Sequence, residues 1–124
     1  MARSVLLQLA RDSIQEVLEA QRSIDKQALF QEHPLLHEKI ATKVNIYIDE
    51  ELKGSSESLV ASASLLEDII FNAKKAAFED KNFSPITTSQ YINCEIELEL
   101  KTKDGTIRQK DVSIISTSSF SLSE

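Results

Sequence analysis

From Ile92 to Leu100 the chain alternates without a break: Ile92, Cys94, Ile96, Leu98 and Leu100 fall on one side, Asn93, Glu95, Glu97 and Glu99 on the other. Successive side chains of a strand point to opposite faces, so the pattern specifies a strand with one face on a core and one on water. Such a strand needs a neighbour on at least one edge and a cover for its apolar face, which asks for a sheet packed under helices. The continuation supplies a neighbour, because Asp104-Gly105 leads into "TIRQKDVSII" and the two runs read as a β-hairpin. A two-residue Asp-Gly turn would set Val112 and Ile114 opposite Glu97 and Glu95. A three-residue loop, Lys103-Asp104-Gly105 with Gly105 in the left-handed bulge position, pairs Val112 with Ile96 and Ile114 with Cys94. The second is the register expected, since a slip of one residue reverses every facing.

Two helices can supply the cover. Val5, Leu6, Leu9, Ile14, Val17 and Leu18 recur at intervals of three to five, with Arg11, Asp12, Gln15, Glu16 and Glu19 elsewhere, and predict an amphipathic helix over residues 3–22. "SLLEDIIFNAKKAAF", residues 64–78, is the clearest helix: Ser64 and Glu67 have capping-box spacing, acids lie in the first turn and Lys74 and Lys75 nearer the end. Leu65, Leu66, Ile69, Ile70, Ala73, Ala76 and Ala77 form its buried stripe, and the alanines let another element approach closely. Between Arg22 and Ala41 the pattern breaks, and Pro34 suits the first turn of a short helix, so this segment is a connector with one or two helical turns. "KVNIYID", residues 43–49, reads as a strand, "DEELKG" as its reversal and "SESLV" as a returning strand. "EDKNFSPITTSQY" is an ordered loop in which Thr87 or Thr88 caps a short helical turn. The serine-rich tail, about residues 116–124, carries no motif, and its end is expected to fray. The fold class expected is α+β, a mostly antiparallel β-sheet flanked by helices, in one domain over residues 1–124.

Composition narrows the function classes. With 20 acidic against 14 basic residues the net charge is −6, which offers phosphates little attraction. The one local basic cluster, Lys101, Lys103, Arg108 and Lys110, is interleaved with Glu99 and Asp111 and has no aromatic partners for stacking bases, so nucleic acid is not expected as a partner. No apolar run approaches the roughly 20 residues of a membrane span, and the opening residues read as a folded helix, not a signal peptide. A single cysteine, Cys94, makes no intramolecular disulfide, and the cytoplasm is the expected location.

Each candidate site has a plainer reading beside it. His33 and His37 have the i, i+4 spacing of two metal ligands on one helical face, but Pro34 lies between them and no nearby ligand completes a set, so surface or capping roles are expected and no metal. Cys94 lies on the inward side of its strand, where a thiol is a small hydrophobe with a raised pKa. Glu95, Glu97 and Glu99 read as a solvated strand face. In "ELKGSSESL", residues 51–59, Ser55, Ser56 and Ser58 would act as nucleophiles only with a base in reach; the G-x-S-x-G elbow and the Gly-Lys-Ser/Thr phosphate run are both absent, leaving Lys53 and backbone N–H groups. No cofactor and no catalytic residue are assigned.

Three stretches, "LLQLARDSI" (6–14), "LKGSSESL" (52–59) and above all "SLLEDIIFNAKKAAFEDKNFSPIT" (64–87), together resemble the AMMECR family. That family's pattern has Leu-Leu-x-Leu-Ala-Arg in its first helix, Leu-Arg-Gly-Cys-Ile-Gly-Ser after a strand, and Leu-x-Glu-Asp followed by Asn-Ala-x-x-Ala-Ala-Phe-x-Asp-x-Arg-Phe-x-Pro. Here Leu65, Glu67, Asp68, Asn72, Ala73, Ala76, Ala77, Phe78, Asp80, Phe83 and Pro85 fall into place. The resemblance covers about residues 5–100. It implies an α+β fold of no agreed molecular activity, a suspected ligand or catalytic site at the glycine–cysteine motif, and MEMO-type and radical-SAM proteins as partners. Lys53 stands where the family has arginine, Ser55 where it has cysteine, Ser56 for isoleucine, Glu57 for glycine and Asn82 for the arginine of Asp-x-Arg-Phe. Lysine lacks the planar fork of arginine, serine is a poorer nucleophile than cysteine, and Glu57 repels anions.

A non-catalytic binding or accessory module is therefore the leading expectation, with self-association as a C2 homodimer through an apolar sheet edge or helix face. The alternative is an enzyme or small-ligand binder with a cleft between residues 52–58 and 79–85, walled by Lys53, Gly54, Ser55, Ser56 and Asp80. A third reading is an acidic interaction surface on Glu95, Glu97 and Glu99 for a basic partner.

Overall fold

The computed structural model describes residues 4–111, so Val112, Ile114 and the serine-rich tail lie outside the described residues. In chain order the elements are α1 (Val5–Glu19), α2 (Lys26–Glu32), a 3₁₀ turn (Pro34–His37), β1 (Ala41–Ile48), β2 (Glu51–Glu57), α3 (Leu65–Phe78), α4 (Thr88–Asn93), β3 (Glu95–Thr102) and β4 (Gly105–Lys110). The strands form one antiparallel sheet in the order β2-β1-β3-β4. Helices α1 and α3 pack on each other, α3 lies on β1 and β2, and α1 reaches β3. The architecture is α+β, with one polar face of the sheet left outside.

Local chemistry explains the element ends. Ser4 caps α1 by accepting from Leu7 N–H, and Ala20 ends it in the left-handed conformation with φ 53°, three residues short of the expected boundary at 22. Ser64 caps α3, accepting from Glu67 N–H, while the Glu67 carboxylate reaches Lys26 across the surface. Thr87 and Gln90 form a reciprocal capping box on α4. The inner face of the sheet, Val44 and Ile46 on β1 with Ile96, Leu98 and Leu100 on β3, is closed by Leu7, Ala10 and Ile14 of α1 and Leu66, Ile69 and Ala73 of α3.

Where α3 crosses the sheet, a buried polar network replaces hydrocarbon. The Asp68 carboxylate accepts from Thr42 N (2.8 Å), Thr42 Oγ1 (2.7 Å), Ser58 Oγ (2.7 Å) and Asn72 Nδ2 (3.2 Å). Asn72 Nδ2 also donates to the Thr42 carbonyl, and its Oδ1 accepts from Ser56 Oγ at 2.7 Å. A buried carboxylate with this many donors is fully satisfied, and it fixes the angle at which α3 meets β1 and β2.

The sequence expectations miss in three places. The first is the reversal after β1, which is a tight turn at Asp49 and Glu50, both with positive φ (52° and 67°), the conformation of a two-residue hairpin turn. The returning strand consequently runs Glu51–Glu57 rather than over "SESLV", and Leu59 and Val60 lie beyond it, 85% and 70% exposed. The second is the β3–β4 hairpin, whose loop is Lys103-Asp104 with Thr102 opposite Gly105, one residue away from the expected three-residue loop. That slip sends Arg108 and Lys110 to the outer face opposite Glu99 and Glu97, and brings Ile107, Gln109 and Asp111 inward. The pairing of opposite charges across the strands and the burial of Asp111 both favour it. Arg11 is the third: expected on the polar surface of α1, it is only 1% exposed.

Candidate functional site

Residues 53–57 sit on β2, at one edge of the sheet, with Ser58 just beyond it, and each is held in a different way. The β1–β2 register passes from Ile46 opposite Gly54 to Tyr47 opposite Leu52, leaving Lys53 as the extra residue of a bulge. Bulges bend a strand and re-aim its side chains. Lys53 lines an open concavity of about 280 Å³ together with Ile48, Asn82, Phe83 and Ser84, and its ammonium group lies 3.3 Å from Glu51. Gly54 is a matter of space, not of turning: a Cβ built there would lie 2.1 Å from the Ala76 carbonyl oxygen, so the backbones of β2 and α3 touch.

Ser55 and Ser56 point to opposite faces of the sheet. Ser55 Oγ donates to Asn45 Oδ1 (2.7 Å) on the outer face, Ser56 Oγ to Asn72 Oδ1 (2.7 Å) on the inner face, and neither lines the Lys53 concavity. Asp80 comes to the strand as expected for the opposite wall, but as a clamp. Its carboxylate accepts from Ser55 N–H and Asn82 N–H, both at 2.9 Å, tying the loop after α3 to the edge of β2. Thus the structure brings Lys53, Ser55 and Asp80 together at one edge, with Lys53 alone of the three lining the concavity.

A second centre lies at Arg11, a position that helical periodicity places on the surface of α1. Its Nε donates to Asp111 Oδ2 at 2.6 Å and its Nη2 to the Cys94 carbonyl at 2.6 Å and to Asp111 Oδ1 at 3.3 Å, while Nη1 reaches the Tyr91 carbonyl at 3.3 Å and Cys94 Sγ at 3.7 Å. The guanidinium also sits 5.3 Å from the Tyr91 ring centre, and Tyr91 Oη donates to the Arg11 carbonyl. Burial opposes the charge on Arg11, but the hydrogen bond to Asp111 and the neighbouring Cys94 and Tyr91 together outweigh it and raise the pKa. Burial likewise pushes the Cys94 thiol up, against the pull of Arg11, so Cys94 is a buried thiol rather than a reactive thiolate. The one available signal was the Leu-Leu-x-Leu-Ala-Arg match, which places Arg11 in a family pattern that an amphipathic count assigns to the surface.

The remaining candidates resolve into structural contacts. His33 occupies the N-cap position of the 3₁₀ turn without a side-chain hydrogen bond to it, and His37 stacks on Phe30 with ring centres 4.1 Å apart. Among the described residues no group of three or more His, Cys, Asp or Glu side chains is placed to hold a metal ion. Glu97 accepts from Asn45 Nδ2 at 2.9 Å and Tyr47 Oη at 3.4 Å, and Arg108 and Lys110 lie 3.7 Å and 3.4 Å from Glu99 and Glu95. The acids and the basic cluster thus answer each other across β3 and β4, with Lys101 bonded to Glu57 on β2.

An antiparallel sheet with one helix-covered face, a glycine on which a helix backbone rests and a clamped edge strand define a small α+β domain. The chain belongs to the AMMECR1 family, whose model matches residues 7–117. It is similar to the crystal structure of an uncharacterised protein, PH0010, from Pyrococcus horikoshii, at 25% identity and a TM-score of 0.67, over 77% of this chain and 48% of that one. The chain therefore spans about half the length of that neighbour. None of the curated proteins matches it. Among the described residues no helix is long and apolar enough to cross a membrane.

Proposed function

We propose that the chain is a non-catalytic binding or accessory module. One observation supports the reading most directly: every hydroxyl in the Gly54–Ser58 stretch donates to an acceptor that the fold itself needs, Ser55 to Asn45, Ser56 to Asn72 and Ser58 to Asp68. Amide oxygens take up no proton at neutral pH, and Asp68 accepts from two other residues, Thr42 and Asn72, besides Ser58, so none of these acceptors serves as the general base a serine nucleophile requires. Incubation with a fluorophosphonate probe should leave the intact mass unchanged. Covalent labelling of Ser55 that disappears in Ser55→Ala would overturn the reading.

The Lys53 concavity favours a second reading, a small-ligand site at the same edge lined by Lys53, Asn82, Phe83 and Ser84, with Gly54, Ser55, Ser56 and Asp80 of the expected wall lying outside the lining. Titration with benzoate and with inorganic phosphate, followed by NMR, separates the two. Saturable shifts at Lys53, Asn82 and Phe83 that vanish in Lys53→Met support the ligand site, and their absence supports the module. Cytoplasmic location, twofold self-association and association with MEMO-type or radical-SAM proteins belong to the module proposal. A monomeric mass by light scattering at tens of micromolar removes the self-association.

A further inference from the structure

Among the described residues β4 has a strand neighbour on one side only. Asp111 N donates to the Ile96 carbonyl at 3.1 Å, and main-chain direction alternates along an antiparallel strand. Ile107 and Gln109 therefore turn their N–H and C=O groups toward β3, and Thr106, Arg108 and Lys110 turn theirs outward. These outward residues carry their side chains on the polar face, where the charge is lopsided. Glu99 and Glu95 are 13% and 32% exposed, whereas their cations Arg108 and Lys110 are 68% and 48% exposed. Ile107, between them on the opposite face, is half exposed.

We propose that the β4 edge takes up an extended strand from a protein partner in which acidic and apolar residues alternate. Main-chain hydrogen bonds to Thr106, Arg108 and Lys110 would supply the docking, acids opposite Arg108 and Lys110 the charge match, and an apolar residue beside Ile107 the register. The fold holds a template for such a strand. β3, "EIELEL", already lies on the other side of β4 with Glu97 opposite Lys110, Glu99 opposite Arg108 and Leu100 opposite Ile107. A second copy is a poorer occupant, because two β4 edges would crowd arginine and lysine together, the arrangement that discourages edge-to-edge pairing. The inference rests on the binding-module reading and names its partner class.

The test uses the full chain and a blocked peptide of sequence TEVEVET, followed by NMR and amide hydrogen exchange. Binding should saturate and slow exchange at Thr106, Arg108 and Lys110 while leaving Ser55 unchanged. The double variant Arg108→Glu/Lys110→Glu should weaken affinity by roughly tenfold or more, and the milder Arg108→Gln/Lys110→Gln, which avoids new repulsion from β3, should weaken it in the same direction. A peptide methylated on its edge-facing amides should not bind. Absence of saturable binding, or binding that survives amide methylation or both charge variants, overturns the proposal. That failure leaves the module reading standing, since covalent labelling of the serines decides it separately.

Discussion

The two edges of this sheet are finished in opposite ways. At β2 the backbone of α3 rests on Gly54, Asp80 takes the outward N–H of Ser55, and the hydroxyls of Ser56 and Ser58 join a buried network with Asn72 and Asp68. At β4 the strand is held from its inner face and its end, by Arg11 on Asp111 and by Ser4 on Gln109, while its outward backbone groups meet no described residue. Unpaired strand edges invite pairing, and proteins cover them or charge them. This chain clamps one at Ser55 N–H and charges the other. The serine-rich stretch that looks reactive in sequence is therefore the closed, structural edge, and the basic hairpin that looks like a solvated surface is the open one.

Substitutions at each edge should show the contrast, beginning with the anchor of the open strand. Arg11→Ala leaves the Asp111 carboxylate buried without its guanidinium and should cost about 3–5 kcal/mol in urea unfolding; a loss under about 1 kcal/mol would mean that the pair does not hold β4. The two glycines come next. Gly54→Ala forces a methyl into the Ala76 carbonyl and should cost about 3 kcal/mol, while Gly105→Ala, with nothing within 4 Å but a φ of 129°, should cost about 1–2 kcal/mol through backbone strain alone. Reversal of that order would break the claim that the closed edge is made by backbone contact. Asp80→Asn weakens the clamp and should cost about 1 kcal/mol, with faster exchange at Ser55.

The smallest effect is a dependence on pH. The hydrogen bond from Lys101, against the cost of burial, holds the Glu57 carboxyl below its ordinary value. A depressed folded-state pKa contributes stability that is present above the unfolded value and is lost as the pH falls through the folded one. Glu57→Gln should remove that part of the acid sensitivity. With side chains 33% and 39% exposed, the pair is worth less than about 1 kcal/mol, and a larger change would point to a role for Glu57 beyond this contact.

The helical cover was legible because α3 states itself locally: a serine cap, acids in the first turn and an apolar stripe all agree on residues 64–78. The alternation of β3 was legible for the same reason. Gly54 misled, since a glycine after a strand suggests a turn, whereas here it marks a close approach by a helix more than twenty residues further on. The actual turn uses Asp49 and Glu50, and glutamate carries no signal for positive φ. Arg11 escaped because its partner is 100 residues away, and no periodicity in α1 reports a carboxylate at the end of β4. The same distant pairing decides the hairpin register, which local turn chemistry placed one residue out. Of the candidate site, the meeting of Asp80 with β2 was readable, but its part as a clamp on Ser55 N–H was not, because a main-chain donor has no signature in sequence.

Amide hydrogen exchange on the free chain measures both edges at once. The Ser55 amide, protected by Asp80, should exchange slowly, and Thr106, Arg108 and Lys110 should exchange fast while Ile107 and Gln109 between them are protected. A fast Ser55 amide, or uniform protection along β4, would contradict the contrast between a closed edge and an open one.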